Sequence, residues 1–377
     1  MDKSQIVGLL PLDPRTDNFG CQLQQYALYR VINEMGLKCE IIDEPYCGEN
    51  SLFSVHYSWK NITLEWFANK VKSKLKKSTP ISEERKDAVK RKREKFKQFR
   101  KKHLVFSEAC TIKTINNIAA KYRYLVCGSD QIWNPQFSSP NYYLNFANEN
   151  QRTIIYAASI GREFFTKRER TVIRPYLKKL DYISVREKSG QKLIKNIVPE
   201  KNIELVLDPA LMLTQDKWER ILPSERIVKE PYVFLHIMGT NEGAEQSVKH
   251  FTEDKNLKLV SIGNPAEENF RDAGPDEFLR LIRDAEYVIT DSFHATAFSL
   301  LFHKEVYCLG RVMSGHSMNA RISTILETCN ISNRMGSIEM MTDVFHQNIN
   351  YEEVDQLLAD ARENSLAFLK KGLDQDI

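Results

Sequence analysis

No stretch of this 377-residue chain comes near the roughly 20 unbroken apolar residues that a membrane-spanning helix needs. The opening Met1-Asp2-Lys3-Ser4 is charged and runs straight into a short strand, so no secretory leader is expected. Cysteine is sparse: seven residues, at 21, 39, 47, 110, 127, 308 and 329, an odd number without a Cys-x-x-Cys pair. That pattern argues against a disulfide framework and gives no zinc motif, so the expectation is metal independence in a reducing, cytoplasmic setting. Internal repeats are absent, and one lysine-rich segment is the sole low-complexity tract.

Charge is unevenly placed. The net charge is +4, yet residues 70–102 hold 16 Lys/Arg against 4 Asp/Glu, leaving the rest of the chain net negative. A nucleic-acid binder would spread positive charge over a folded face, so a charge confined to one segment argues against that partner. The segment reads as a solvated helical face. With Trp66, Phe67, Val71 and Leu75 upstream, residues 60–102 also read as a peripheral contact with the inner face of a membrane.

At this length two domains are expected, since one core rarely serves more than about 250 residues. Residues 5–10 form a strand, 21–35 a helix closed by Gly36, and 38–43 a second strand, which completes a βαβ unit. Residues 51–103 interrupt the pattern. Strands resume at 124–127, 153–158 and 182–185, and each ends in small, polar or charged residues. Beyond Leu207-Asp208-Pro209 and a helix at 215–221 the alternation repeats: strands 232–237, 258–262, 287–290 and 305–309, with helices 242–254, 275–284 and 295–302. The reading is α/β, with two Rossmann-like domains facing a central cleft. Residues 1–207 form the first domain with a basic helical insertion at about 51–103, residues 208–350 the second, and 351–377 a closing helix.

The chemistry concentrates where the run Tyr287–Ile289 stops at Thr290-Asp291-Ser292-Phe293-His294. This is a strand-to-helix turn, where first-turn amides and the helix dipole favour an anion. Asp291 or Ser292 as a helix cap, with His294 as a structural histidine, is the plainer alternative. Asp17, Asn18, Asp130, Gln131 and Asn134 offer hydroxyl-matching donors and acceptors, with turn formation as the competing role for the first two. Trp133 either stacks on a sugar face or belongs to the core, and Arg186 either meets an anion or pairs with neighbouring acids.

Taken together, Asp17-Asn18-Phe19-Gly20-Cys21-Gln22-Leu23-Gln24-Gln25-Tyr26-Ala27-Leu28, Gly128-Ser129-Asp130-Gln131-Ile132-Trp133-Asn134, Ser184-Val185-Arg186-Glu187, Asp208-Pro209 and Asp291-Ser292-Phe293-His294-Ala295 resemble the polysaccharide pyruvyl transferase family. Their order and separation match from about residue 5 to 330. The resemblance implies a GT-B-like fold, with the C-terminal domain holding phosphoenolpyruvate as co-substrate and the N-terminal domain facing a sugar acceptor, lipid-linked or not. It implies a cyclic pyruvate ketal as product, in capsule, exopolysaccharide or cell-wall glycan synthesis, with no further cofactor. His294 is then the general acid/base, with Asp291 orienting it or deprotonating a hydroxyl.

One departure matters. Many members carry Arg-x-His, whereas this chain has Ser292-Phe293-His294. The donor's charge must then be met elsewhere, by Arg311 or by Arg321 in Asn319-Ala320-Arg321, with Ser292 and Asn319 beside it. Asp17, Asn18, Asp130, Gln131, Trp133, Asn134 and Arg186 are the acceptor-side candidates. A nucleotide-sugar glycosyltransferase and a non-catalytic glycan-binding relative remain as alternatives, because one fold hosts several functions.

Overall fold

In the computed structural model the described residues are 6–44, 83–111, 113–239, 243–263, 270–310, 312–313, 316–317 and 319–375. The first domain is built on a seven-stranded parallel sheet: β1 (Ile6–Leu10), β2 (Lys38–Asp43), β3 (Phe106–Ala109), β4 (Tyr124–Asp130), β5 (Arg152–Ala158), β6 (Tyr182–Val185) and β7 (Glu204–Leu205). The spatial order is β3-β2-β1-β4-β5-β6-β7, so the order reverses beside β1. The second domain carries β8 (Tyr232–Ile237), β9 (Lys258–Gly263), β10 (Tyr287–Thr290), β11 (Glu305–Leu309) and β12 (Met335–Gly336), in the order β12-β11-β10-β8-β9. Every pairing in both sheets is parallel. This is a pair of Rossmann-like domains, and in such sheets ligands gather at the carboxyl edge where the strand order reverses.

Central strands such as β4, buried at every residue, read as continuous apolar runs because helices cover both faces. The longer helices are α1 (Phe19–Glu34), α2 (Glu83–His103), α3 (Lys167–Lys179), α4 (Lys188–Ile197), α5 (Ala244–Asp254), α6 (Pro275–Asp284), α7 (Phe293–Leu301), α8 (Ala320–Thr328) and α9 (Tyr351–Gly372). Among these, α7 starts two residues earlier than periodicity suggests, because Ser292 caps it. Helix α9 leaves the second domain, where Asp355 meets His303 at 3.0 Å, and ends on the first sheet, where Gly372 sits against Ile154. Along the way Ser365 accepts from Leu207 N–H at 2.9 Å and Arg362 donates to the Leu211 carbonyl.

Helix α2 is the described part of the basic segment; Trp59, Trp66, Phe67, Val71 and Leu75 lie outside the described residues. The expectation of a solvated helix holds for only part of its surface, because α2 buries Ala88, Phe96 and Phe99. Phe96 meets Phe19 at 5.3 Å, and Phe19 stacks at 4.4 Å on Phe278 of α6 in the other domain. Its charges are matched in that domain too: Lys95 donates to Glu277 at 2.8 Å and Arg91 to Asp272 at 2.6 Å. Glu277 at the same time accepts from Gly274 N–H and so caps α6. Arg100 turns the other way, to the Thr16 carbonyl at 2.6 Å and to Gln22. The helix therefore ties both domains at one side of the cleft. Removing a fully buried aromatic ring costs about 3–5 kcal/mol, so Phe96→Ala should lower the urea midpoint strongly. Lys97→Ala, at an exposed position of the same helix, should shift stability by no more than about 0.5 kcal/mol.

Candidate active site between the two domains

A cavity of about 580 Å³ opens between the domains. The first domain lines it with residues following β1 (Asp13, Asp17, Asn18), with Gly20 and Cys21 of α1, and with Asp130 and Gln131 at the end of β4. From the second domain come His236 and Met238 at the end of β8, Asp291 to His294 after β10, and Arg321 of α8.

At its floor lies a buried charge cluster. Arg186 at the end of β6 donates one guanidinium N–H₂ to Asp130 at 2.8 Å and the other to Asp208. Its plane also lies 5.0 Å from the Phe293 ring. All three charged groups are buried, and such ions are tolerated because each meets an opposite charge. The guanidinium holds the Asp130 carboxyl well below the usual carboxylate range against its desolvation, with His294 and Arg321 contributing. Asp130 adopts a left-handed backbone (φ 67°), a conformation that Asp tolerates better than most residues. It also accepts from the Cys21 thiol at 2.5 Å, and burial with this carboxylate pushes that thiol well up, away from thiolate chemistry.

His294 projects from the first turn of α7 into this field. Its Nε2 lies 3.8 Å from Asp208 Oδ1, beyond hydrogen-bond reach, and among the described residues no group bonds to it. Burial lowers its pKa to about 4, outweighing the pull of Asp208 and Asp130. The imidazole is therefore neutral near pH 7 and can accept a proton. Gly20 makes the geometry feasible: a Cβ there would lie 2.0 Å from His294 Nδ1.

Other expected residues take different places. Asp291 accepts from the Met238 and Gly239 amides, both at 2.7 Å, so it fixes the chain after β8, and the acid facing His294 is Asp208. Ser292 caps α7 through Ala295 N–H and borders the cavity. Asn18 caps α1 through Cys21 N–H, and Asp17 pairs with Arg93 and Arg100 at 3.5 and 3.6 Å; both border the cavity. Arg321 lines it, with NH1 4.0 Å from Asp130. Asn319 precedes α8 outside the lining, and Arg311 lies outside the described residues.

Three acceptor-side expectations need correction. Trp133 is fully buried, stacked on Tyr143 and donating to the Tyr142 carbonyl at 3.2 Å, so it is core rather than a sugar platform. Asn134 bonds Gln131 at 2.6 Å and the Gln136 amide behind the wall, leaving Gln131 to face the cavity. Arg186 is sealed beneath the floor and touches the two acids instead of a ligand. Sequence reasoning missed Asp208 as a site residue; its signal was an acid in an Asp-Pro motif that follows a strand. His236 was missed because it sits inside an apolar strand, where its Nδ1 bonds the Ile262 carbonyl at 2.9 Å.

Comparison with known proteins adds the family. The sequence model described as polysaccharide pyruvyl transferase matches residues 18–311, most of the chain and all of the buried charge cluster at the cavity floor. The chain belongs to the polysaccharide pyruvyl transferase family. No curated protein sequence matches it. Among solved structures, a Listeria monocytogenes protein described as a candidate UDP-N-acetylglucosamine 2-epimerase aligns with TM-score 0.54 at 11% identity, covering 99% of both chains. The UDP-GlcNAc 2-epimerase of Methanocaldococcus jannaschii gives 0.51 at 10% identity, covering 92% of both. That of Neisseria meningitidis, bound to UDP-GlcNAc, gives 0.50 at 11%, covering 97% of this chain and 99% of its own. At such identities the likeness concerns fold, and the fold of this transferase-family member is GT-B.

Two outcomes follow for this member of the family. Gly20→Ala should displace the imidazole, and a shift of about 1 Å can lower turnover about a hundredfold, measurable in a transfer assay with circular dichroism unchanged. His294 binds its proton at about 4 when folded and near 6.5 when unfolded, so the unfolded state takes up the extra proton and stability falls as pH drops through that window. In His294→Gln the decline in melting temperature between pH 6.5 and 4 should be visibly shallower than in the wild type.

Proposed function

We propose that the protein transfers the pyruvyl group of phosphoenolpyruvate to two hydroxyls of a polysaccharide sugar or its lipid-linked precursor, forming a cyclic ketal. The observation that carries this reading is the buried Nε2 of His294 at the head of α7, without a hydrogen-bond partner among the described residues, in a cavity that also presents the Arg321 side chain. Family membership supports the same chemistry.

The reaction joins C2 of the donor to two sugar oxygens and breaks its bond to the phosphate oxygen. One hydroxyl proton ends in the new methyl group and the other leaves with phosphate. Neutral His294 takes the proton of the attacking hydroxyl and, as imidazolium, returns it to the methylene carbon or the departing phosphate. Asp208, 3.8 Å away, stabilises the imidazolium while it exists. Arg321 meets a donor anion with a planar fork suited to carboxylate and phosphate, aided by the first-turn amides of α7. Acids and amides after β1 and β4, namely Asp17, Asn18, Asp130 and Gln131, face the sugar.

His294→Gln should keep the fold and abolish phosphate release from phosphoenolpyruvate in the presence of acceptor; retained turnover would remove His294 from the mechanism. Saturating phosphoenolpyruvate should raise the melting temperature of the wild type by mass action. A response to nucleotide sugars alone would replace this reading with glycosyl transfer.

A further inference from the structure

The cavity has an imbalance that the proposed reaction makes consequential. Among its described lining residues, Asp13, Asp17, Asp130 and Asp291 are acids, while the cationic side chains are Arg321 and Lys92. Arg186 contributes nothing to the surface, since its two terminal nitrogens are held by Asp130 and Asp208 under the floor. A donor with both a carboxylate and a phosphate needs more fixed positive charge than one guanidinium provides. Position 292 at the head of α7 adds no charge, since its serine is spent on capping the helix.

Lys92 belongs to the inserted basic helix, and its place in the cleft follows from helical spacing. It stands four residues before Phe96, so burying Phe96 on the domain junction turns Lys92 towards the same side. Its ammonium lies 4.3 Å from the centroid of Phe19 and 5.6 Å from that of Phe96, over the ring that stacks on Phe278. Neighbours on either side fix the helix at this height: Arg91 and Lys95 are tied to Asp272 and Glu277 of the second domain, Arg100 to Thr16 and Gln22 of the first. The half-buried Lys92 is thereby held at the lining with His236, Asp291 and His294, unlike Lys90 two residues earlier, which faces solvent.

Resting on the pyruvyl-transfer reading, we propose that Lys92 is a donor-binding residue, the second cation that grips phosphoenolpyruvate opposite Arg321. The insertion thus supplies, from the other side of the cleft, charge that the serine at 292 does not. Because the same helix is pinned to both domains, the cation exists at the site only while the domains are docked, which makes donor binding depend on the closed cleft.

The test is isothermal titration of the full-length chain with phosphoenolpyruvate and, separately, with inorganic phosphate, for the wild type, Lys92→Met, Lys92→Arg and Lys90→Met. Lys92→Met should weaken phosphoenolpyruvate binding about tenfold or more, Lys92→Arg should hold within about threefold, and Lys90→Met should match the wild type. In turnover, Lys92→Met should raise the donor KM far more than it lowers kcat, and its ligand-free melting temperature checks that the helix still packs. Phosphoenolpyruvate binding unchanged in Lys92→Met overturns the role of Lys92 and leaves the pyruvyl-transfer reading intact. Wild-type binding of phosphate, but not phosphoenolpyruvate, that depends on Lys92 supports an anion site at this residue and overturns the donor assignment. Wild-type binding of neither anion overturns both.

Discussion

The site depends on Arg186 being held between Asp130 and Asp208. These groups come from the ends of β4 and β6 and from the segment leaving β7, so one guanidinium fastens the carboxyl edge of the first sheet to the chain that leads into the second domain. Removing one partner of such a buried pair strands the other charge, at about 3–5 kcal/mol, which makes the arrangement close to all-or-none. The cluster is also electrostatic machinery. Asp130 and Asp208 pull the His294 proton affinity up while burial and Arg186 pull it down, and burial prevails. The acid that faces the imidazole is consequently placed by a salt bridge and by the Ala210 amide, 2.9 Å from its Oδ1, rather than by a bond to the histidine.

The second constraint is mechanical. A cavity between two domains keeps its shape only if the domains keep their relation, and contacts on several elements hold it here. Phe19 stacks on Phe278 within 8° of parallel, α2 bridges the same junction with matched charges, and α9 crosses back to the first sheet. Phe19 opens α1 directly before Gly20, whose missing side chain admits His294. Domain docking and placement of the imidazole are thus consequences of adjacent residues.

Much of this was legible in the sequence. Strands such as 182–185, 232–237, 287–290 and 305–309 coincide with the structure because parallel, doubly covered strands must be continuous apolar runs, and that signal has sharp edges. The cleft position of Asp17, Asn18, Asp130, Gln131 and His294 was legible for the related reason that polar residues directly after such runs fall on one sheet edge. Partnership was not legible. Trp133 and Arg186 have the right chemistry at the right edge, but whether a side chain points up into a cleft or down into the core depends on contacts with other segments of the chain, those of Tyr142 and Asp208 respectively. The basic helix misled for the same reason: its acids, Asp272 and Glu277, lie more than 180 residues away in sequence.

These pieces bear on when the proton moves. An imidazole with a pKa of about 4 is unprotonated but only weakly basic in the empty cleft, so it does not hold a proton that could be lost to solvent. On the proposed reading an anionic donor held by Lys92 and Arg321 beside it changes the balance, because nearby negative charge favours the protonated ring. On the proposed reading, donor arrival itself raises the basicity of His294 towards the working range, just as the acceptor hydroxyl becomes the available proton source. A histidine already charged in the free enzyme would have nothing to accept from that hydroxyl. On that reading, the depth of His294, beyond reach of a direct bond to Asp208, keeps it uncharged until the substrates are present.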